Sequence, residues 1–106
     1  MEHKVAIKND SGKVRMELLS PIALTEIAKV LTFGSIKYEA HNWRKGFAWS
    51  RLLGAALRHL FAFIGGEDKD PETGLSHLSH LGACVMFLLE HEVTHKHLDD
   101  RYKSKE

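Results

Sequence analysis

The sequence predicts an all-α fold, a small helical bundle of three main helices completed by oligomerisation. Apolar residues recur at helical spacing in three stretches of the 106-residue chain. Polar or glycine-rich segments separate these stretches, as connections between helices do. A chain of this length accommodates a single domain, which we assign to residues 1–106, and such a domain has a large surface relative to its core.

The two ends of the chain carry no clear helical pattern. Residues 1–19 are mixed and polar, with a turn signal at residues 9–12. We interpret this segment as a partly ordered arm, in which Val5 and Ile7 could form a short extended stretch. Residues 99–106 are mostly charged and are expected to form a frayed tail.

The first helix is predicted to begin at Ser20-Pro21, because serine caps helix N-termini and proline is tolerated at the first helical position. Its apolar positions are Ile22, Ile27, Val30, Leu31 and Ile36, flanked by Leu24 and Phe33. Gly34 is predicted to end or bend this helix, and a second short turn is expected at residues 35–39. The run HNWRKG that follows, residues 41–46, is interpreted as a loop.

The second helix is predicted over about residues 49–64, with a stop at Gly65-Gly66. Its apolar face is formed by Leu52, Leu53, Ala56, Leu57, Leu60 and Phe63. The third helix is predicted over about residues 76–98 and is apolar around much of its girth between Leu81 and Leu89. One copy of three helices cannot easily cover that surface, so we expect self-association.

Composition and charge exclude several classes of protein. The formal net charge of +1 creates no long-range field for a nucleic-acid polymer or an acidic membrane. The single cysteine, Cys84, excludes an intrachain disulfide framework and fits a reducing compartment. No apolar run approaches membrane-spanning length, and the first residues lack the apolar core of a signal peptide. We therefore expect a cytoplasmic protein.

Groups that bind metals or transfer protons are concentrated between Arg58 and His80. They are His59, Glu67, Asp68, Asp70, Glu72, His77 and His80. The run begins inside one predicted helix and ends inside the next, and helical bundles build metal sites from facing helices in this way. We predict that Glu67, Asp70, His77 and His80 hold a metal. His59 would be a further ligand or a base, which makes Glu67 and His59 the candidate catalytic residues.

These residues also have structural interpretations. His59 lies on or beside the apolar face of its helix, where a lone histidine is more often a satisfied core residue than a ligand. Asp70-Pro71 is a turn former, so Asp70 could serve local hydrogen bonding. A mixed set of carboxylates and imidazoles fits Mg²⁺ or Mn²⁺, with Zn²⁺ also possible. The run lacks the spacing of a structural zinc site and the HExxH pattern.

Cationic, amide and aromatic side chains precede the cluster, and with a metal they suggest phosphate chemistry. A metal neutralises phosphate oxygens and activates water, while arginine or lysine stabilises developing charge. The phosphate-binding candidates are Lys37, Arg44, Lys45 and Arg58, and the nucleoside-binding candidates are Tyr38, Asn42 and Trp43. Alternatively, the cations are solvated surface charges and Trp43 anchors a loop. Phosphate-loop, GxGxxG and serine or cysteine nucleophile motifs are absent.

Three segments, SIKYEAHNWRKG, RHLFAFIGGEDKDPETG and HLSHLGAC, resemble a small phage family described as the N-terminal domain of a dATP/dGTP diphosphohydrolase. The resemblance covers about residues 8–92. It implies an all-α nucleotide pyrophosphohydrolase of the MazG-like kind, which uses Mg²⁺ or Mn²⁺. Such enzymes usually carry EExxE and ExxD motifs. The nearest equivalents here are Glu67-x-x-Asp70, in a loop, and His77-x-x-His80 on the next helix.

We therefore predict metal-dependent hydrolysis of a purine deoxynucleoside triphosphate to its monophosphate and pyrophosphate. If a phage encodes the chain, this would occur in the host cytoplasm, with no membrane or nucleic-acid polymer as partner. Two alternatives stay open. One is a non-catalytic phage protein that binds and sequesters a nucleotide, and the other is a helical interaction module.

Overall fold

The computed structural model describes residues 4–104 and contains three α-helices in this range: α1 (Pro21–Lys37), α2 (Trp49–Ile64) and α3 (His77–Thr94). Short 3-10 turns lie at Met16–Leu18, Asn42–Lys45 and Lys96–Leu98. Within the same range no strand forms, and β pairing is limited to an isolated bridge between Lys69 and Ser76. The prediction of an all-α fold with three main helices is confirmed.

Each helix start has a chemical cause. The Ser20 hydroxyl accepts a hydrogen bond from the Ala23 N–H at 3.1 Å, with Pro21 at the first helical position. The Ser76 hydroxyl accepts from the Leu78 N–H at 3.1 Å. Asp100, in the tail expected to fray, accepts from the Ser50 N–H at 2.8 Å. Its carboxylate therefore lies at the positive end of α2, where an anion is favoured.

Two predicted boundaries were wrong. α1 does not stop at Gly34 but runs to Lys37, and the Tyr38 N–H still bonds the Gly34 carbonyl at 2.9 Å. α3 ends earlier than predicted, at Thr94, because His95 leaves the helical conformation with φ −134° and ψ 47°.

The HNWRKG segment is more ordered than the predicted loop. His41 adopts a left-handed conformation with φ 64°, Asn42–Lys45 form a 3-10 turn, and Gly46 has φ 102°. A Cβ on Gly46 would lie 2.6 Å from the His95 ring, so this position favours glycine twice over. The segment therefore has a defined shape between α1 and α2.

α3 packs against both α1 and α2. Its approach to α1 is close, because a Cβ on Gly82 would lie 2.8 Å from the Ile27 side chain. The buried apolar residues come from α2 and α3 and are Trp49, Leu52, Ala56, Ala83 and Cys84. Three polar residues are buried beside them, namely His77, Ser79 and His91. α3 therefore contributes to the apolar core and carries all three of these buried polar residues.

The segment before α1 lies outside this core. Residues 4–15 form neither helix nor strand, and Val5 and Ile7 are 90% and 99% exposed. The predicted turn is present, because the Lys13 N–H bonds the Asp10 carbonyl at 3.1 Å. Across the described part of the chain, none of the helices has the length and hydropathy that a membrane crossing requires.

Candidate active site

The connection between α2 and α3 folds back on itself and carries its acidic residues to both helices. Gly66 and Gly74 have positive φ values of 98° and 72°, which glycine adopts without strain. The Asp70 N–H bonds the Leu75 carbonyl at 2.8 Å, and the His77 N–H bonds the Asp68 carbonyl at 3.0 Å. These hydrogen bonds hold the loop against the start of α3.

Three histidines meet beneath the loop, one from α2 and two from α3. Nδ1 of His59 lies 2.9 Å from Nδ1 of His77. The rings of His59 and His80 stack with centroids 4.5 Å apart and an angle of 7° between their planes. His77 is buried, and its Nε2 lies 2.7 Å from Oε1 of Glu67, whose side chain is 56% exposed. His77 therefore bridges His59 and the loop.

Asp70 faces the histidines while the loop holds its carboxylate. Oδ1 accepts hydrogen bonds from the N–H groups of Glu72 at 2.8 Å and Thr73 at 3.1 Å. Oδ2 lies 3.8 Å from Nδ1 of His59, so His59 faces the acidic loop as predicted. Burial opposes ionisation of Asp70. The two backbone N–H groups and the nearby His80 and His59 outweigh burial and lower the pKa of Asp70.

Thr73 is a site residue that the sequence interpretation missed. Its hydroxyl oxygen lies 2.7 Å from Nε2 of His80 and accepts a hydrogen bond from the Leu75 N–H at 3.2 Å. Its place in the turn after Asp70-Pro71 is a weak signal that predicts a turn and no ring contact. Burial lowers the pKa of both His59 and His80, which favours neutral imidazoles at pH 7.

One group of three in the described residues could hold a metal. His59, Asp70 and His77 each offer a ligand atom, and these atoms lie within 4.8 Å of one another. Asp70 and His77 belong to the predicted metal set and His59 was predicted as a further ligand or base, whereas the predicted ligands Glu67 and His80 are not in this group. Glu67 contacts the far nitrogen of His77, and His80 contacts Thr73. The donor set, two imidazoles and a carboxylate, fits a divalent metal chemically.

A cavity of about 730 Å³ connects the cluster to α1 and the HNWRKG segment. Of the cluster, His59, Asp70 and His80 line it. The predicted substrate residues in its lining are Lys37, Tyr38, Asn42, Trp43 and Arg44. Lys45 is absent from the lining, and Arg58 lines a separate groove of about 380 Å³. The fold therefore joins most of the predicted substrate residues to the histidine cluster.

Carboxylates pair with the cations around the cavity. Lys37 Nζ lies 2.7 Å from Oε1 of Glu72, which raises the pKa of Lys37. Arg44 donates from Nη1 to both oxygens of Glu90 at 3.0 Å. Lys45 pairs with Glu39. Exposed pairs of this kind contribute little to stability, so an anionic ligand could displace them at modest cost.

α3 holds the HNWRKG segment in place. The Trp43 ring stacks on Phe87 with centroids 4.7 Å apart, and the Arg44 guanidinium lies 4.4 Å from the Trp43 ring. His91 is 0% exposed, and its Nε2 accepts a hydrogen bond from the Phe47 N–H at 3.1 Å. Trp43 therefore packs on α3 and also lines the cavity, so its predicted contact with a nucleoside stays a prediction.

Comparison with known proteins gives the family. The family model described as dATP/dGTP diphosphohydrolase, N-terminal, matches residues 4–101. A protein of Salmonella phage PMBT28 named dATP/dGTP diphosphohydrolase is 40% identical over 82 residues, which cover 77% of this chain and 28% of the relative's length. No solved structure matches the chain. The chain belongs to the dATP/dGTP diphosphohydrolase N-terminal family, as the resemblance of its motifs predicted.

Proposed function

We propose that this member of the family hydrolyses a purine deoxynucleoside triphosphate to the monophosphate and pyrophosphate with the help of a divalent metal. One observation carries the proposal. A single cavity is lined both by His59, Asp70 and His80 and by Lys37, Asn42 and Arg44. Groups suited to metal and water chemistry thus share a space with groups suited to phosphate and base recognition.

The residues beneath the loop supply the reaction end of the cavity. His59, Asp70 and His77 would hold the cation, whether Mg²⁺, Mn²⁺ or Zn²⁺. When bound, such a cation supplies charge that neutralises phosphate oxygens and activates water. His80 lines the cavity, and Thr73 orients its ring. The neutral ring can accept a proton from water. Glu67 holds the ring of His77 from the solvent side.

The HNWRKG segment and the end of α1 supply the substrate end. Lys37 and Arg44 would contact phosphates, and the phosphate oxygens would compete with Glu72 and Glu90 for them. Tyr38 and Asn42 offer hydrogen bonds to sugar or base. Lys45 and Arg58 lie outside the cavity lining, so the proposal depends on Lys37 and Arg44.

The proposal is tested by product analysis with the purified chain. dATP, dGTP, dCTP and dTTP are each incubated with Mg²⁺, Mn²⁺ or Zn²⁺, and pyrophosphate and monophosphate are quantified. We expect purine-selective release that stops in excess chelator and in an Asp70→Asn variant. An Arg51→Ala variant, altered outside the cavity lining, serves as the matched control.

The alternatives give different results in the same experiment. Binding of a nucleotide without any product would favour a sequestering protein. Absence of nucleotide binding would favour an interaction module. Because the chain covers 28% of the relative's length, the assay is performed on this chain itself.

A further inference from the structure

We infer that His59, Asp70 and His77 form a site for an imidazole-preferring transition metal, of the Zn²⁺ or Co²⁺ class, in preference to Mg²⁺. Glu67 and His80 then act as supporting partners outside the ligand set. The inference deepens the proposed function and rests on it for the role of the metal in the reaction. Binding of the metal itself can be measured without any substrate.

Glu67 determines the tautomer of His77. A carboxylate only accepts hydrogen bonds, so the 2.7 Å contact with Glu67 places the ring proton on Nε2 of His77. Nδ1 of His77 therefore carries a lone pair and no proton. Histidines that bind metals usually donate their other N–H to a carboxylate or carbonyl in this way. Glu67 thus prepares His77 to be a ligand through Nδ1.

His59 supplies the second imidazole ligand, next to His77. Its Nδ1 lies 2.9 Å from Nδ1 of His77, so a single proton between the two nitrogens satisfies both. A cation that replaces this proton would meet two lone pairs converging from α2 and α3. The side chains of His59 and Asp70 are each 18% exposed, and that of His77 is 4% exposed. The pair is therefore both shielded and close to its final geometry.

The carboxylate of Asp70 is the third ligand of the inferred site. Asp70 has its Oδ1 fixed by two backbone N–H groups, which leaves Oδ2 3.8 Å from Nδ1 of His59. Two imidazoles and one carboxylate form a three-ligand set with positions left for water or substrate, as in catalytic zinc sites. Both His59 and Asp70 line the cavity, so these positions are accessible to a substrate.

The donor atoms decide the class of metal. Mg²⁺ prefers an octahedral shell of oxygens and is usually held by carboxylates, phosphates and water. Two of the three donors here are imidazole nitrogens, which suit zinc and other late transition metals. His80 stacks on His59 and bonds Thr73 through Nε2, so its contacts support the His59 ring.

Metal binding to the chelator-stripped full chain tests the inference, in the absence of nucleotide. Co²⁺ binding is followed by its visible absorption, and Zn²⁺ affinity is obtained by displacing Co²⁺. We expect one site per chain, with Mg²⁺ failing to displace Co²⁺ at millimolar concentration. His59→Ala and Asp70→Asn should abolish the Co²⁺ spectrum, while Glu67→Gln should lower the affinity by about 10–100-fold.

One variant separates this site from the one predicted by sequence alone, and a second variant is its control. His80→Ala should keep the Co²⁺ spectrum, since His80 is outside the inferred ligand set. His97→Ala, changed in the distant 3-10 turn Lys96–Leu98, is the matched control for loss of a histidine. Circular dichroism verifies that each variant is folded. If His59→Ala does not fold, Asp70→Asn still tests the site, because asparagine has nearly the same shape as aspartate.

The outcomes distinguish this inference from the proposed function. Co²⁺ binding that survives His59→Ala in a folded protein, or is lost equally in His80→Ala, would overturn the inferred ligand set. Displacement of Co²⁺ by millimolar Mg²⁺ would overturn the metal class. If the metal binds as expected and no pyrophosphate is released, the proposed function fails while the metal site stands.

Discussion

Nδ1 of His59 and Nδ1 of His77 lie 2.9 Å apart although 18 residues separate them in the chain. The contact joins α2 to α3 at the point where the loop brings Asp70 within 3.8 Å of His59. Glu67 completes the arrangement by holding the other nitrogen of His77. The site is therefore assembled from both helices and their connection. A change in any of these three elements should alter the contacts that the other two make at the site.

Replacing Glu67 with glutamine should lower turnover by about 10–100-fold, as the loss of a partner to a metal ligand typically does. The charge is removed, while the size of the side chain hardly changes. Because the defect would lie in holding His77, excess metal should restore much of the activity. Pyrophosphate release measured across a metal titration tests this. Full activity of Glu67→Gln at limiting metal would contradict it.

Arg44 and Lys45 form a matched pair for testing the substrate end of the cavity. Arg44 lines the cavity, whereas Lys45, which pairs with Glu39, is absent from the lining. Arg44→Ala should weaken nucleotide binding by about tenfold or more, because hydrogen bonds to charged groups contribute about 1.5–3 kcal/mol. It should also make binding less sensitive to salt. Equilibrium binding of dGTP at two salt concentrations measures both, and equal losses in Lys45→Ala would assign the effect to general surface charge.

His91 should stabilise the segment between α1 and α2 through its acceptor nitrogen. The ring is 0% exposed, and its Nε2 accepts from the Phe47 N–H. Leucine would leave that N–H without a partner, so His91→Leu should lower the free energy of unfolding by about 1–3 kcal/mol. Glutamine offers an acceptor oxygen near the same position, so His91→Gln should lower the free energy of unfolding less than His91→Leu does. Urea denaturation compares the variants, and equal losses would mean that the hydrogen bond contributes nothing.

The same residue predicts a dependence of stability on pH. Burial lowers the pKa of His91, the neighbouring His95 lowers it further, and Glu90, which also pairs with Arg44, raises it. The unfolded ring therefore binds a proton at a higher pH than the folded one. Stability should be complete above the ordinary histidine pKa of about 6.5 and decline as the pH falls from there toward the folded pKa.

His91→Gln isolates this effect, because His59 and His80 are present in both proteins. The slope of unfolding free energy between pH 7 and 5 should be smaller in His91→Gln than in the parent protein. Chemical denaturation at several pH values measures it. An identical slope in the two proteins would show that His91 does not titrate differently on folding.

The chain exposes more surface than a folded monomer of its mass should. Accessible area scales with mass to give about 6,000 Å² at 12.0 kDa, whereas the chain exposes 8731 Å². Part of the excess lies in the arm before α1, and part on α3, where Val85 and Leu89 are 46% and 60% exposed. We expect self-association through the middle of α3.

Light scattering at micromolar concentration decides the oligomeric state. The mass should exceed 12.0 kDa, and Leu89→Glu should shift it toward the monomer. Ile36→Glu changes another exposed apolar residue, on α1, and is the control. A monomer in the unmodified protein would contradict the prediction, and equal effects of both variants would place the contact elsewhere.

Local features of the sequence determined the helices. α2 begins at Trp49 and ends at Ile64 as predicted, because its apolar face repeats every three to four residues and Gly65-Gly66 follows. α1 begins after Ser20 because the cap and Pro21 act within one turn. The spacing of His77 and His80 also predicted that they share one side of α3. Each of these features depends on residues no more than about four apart.

The tertiary structure decided which residues meet. Lys37 pairs with Glu72 across 35 residues, and Arg44 pairs with Glu90 across 46. His59 was one candidate among several in the sequence, and the packing of α2 on α3 placed its Nδ1 against His77. Local patterns specify which side of a helix is apolar, but many partners would satisfy that side equally well. The choice among them depends on close packing between distant segments, such as Ile27 against Gly82, which no local pattern contains.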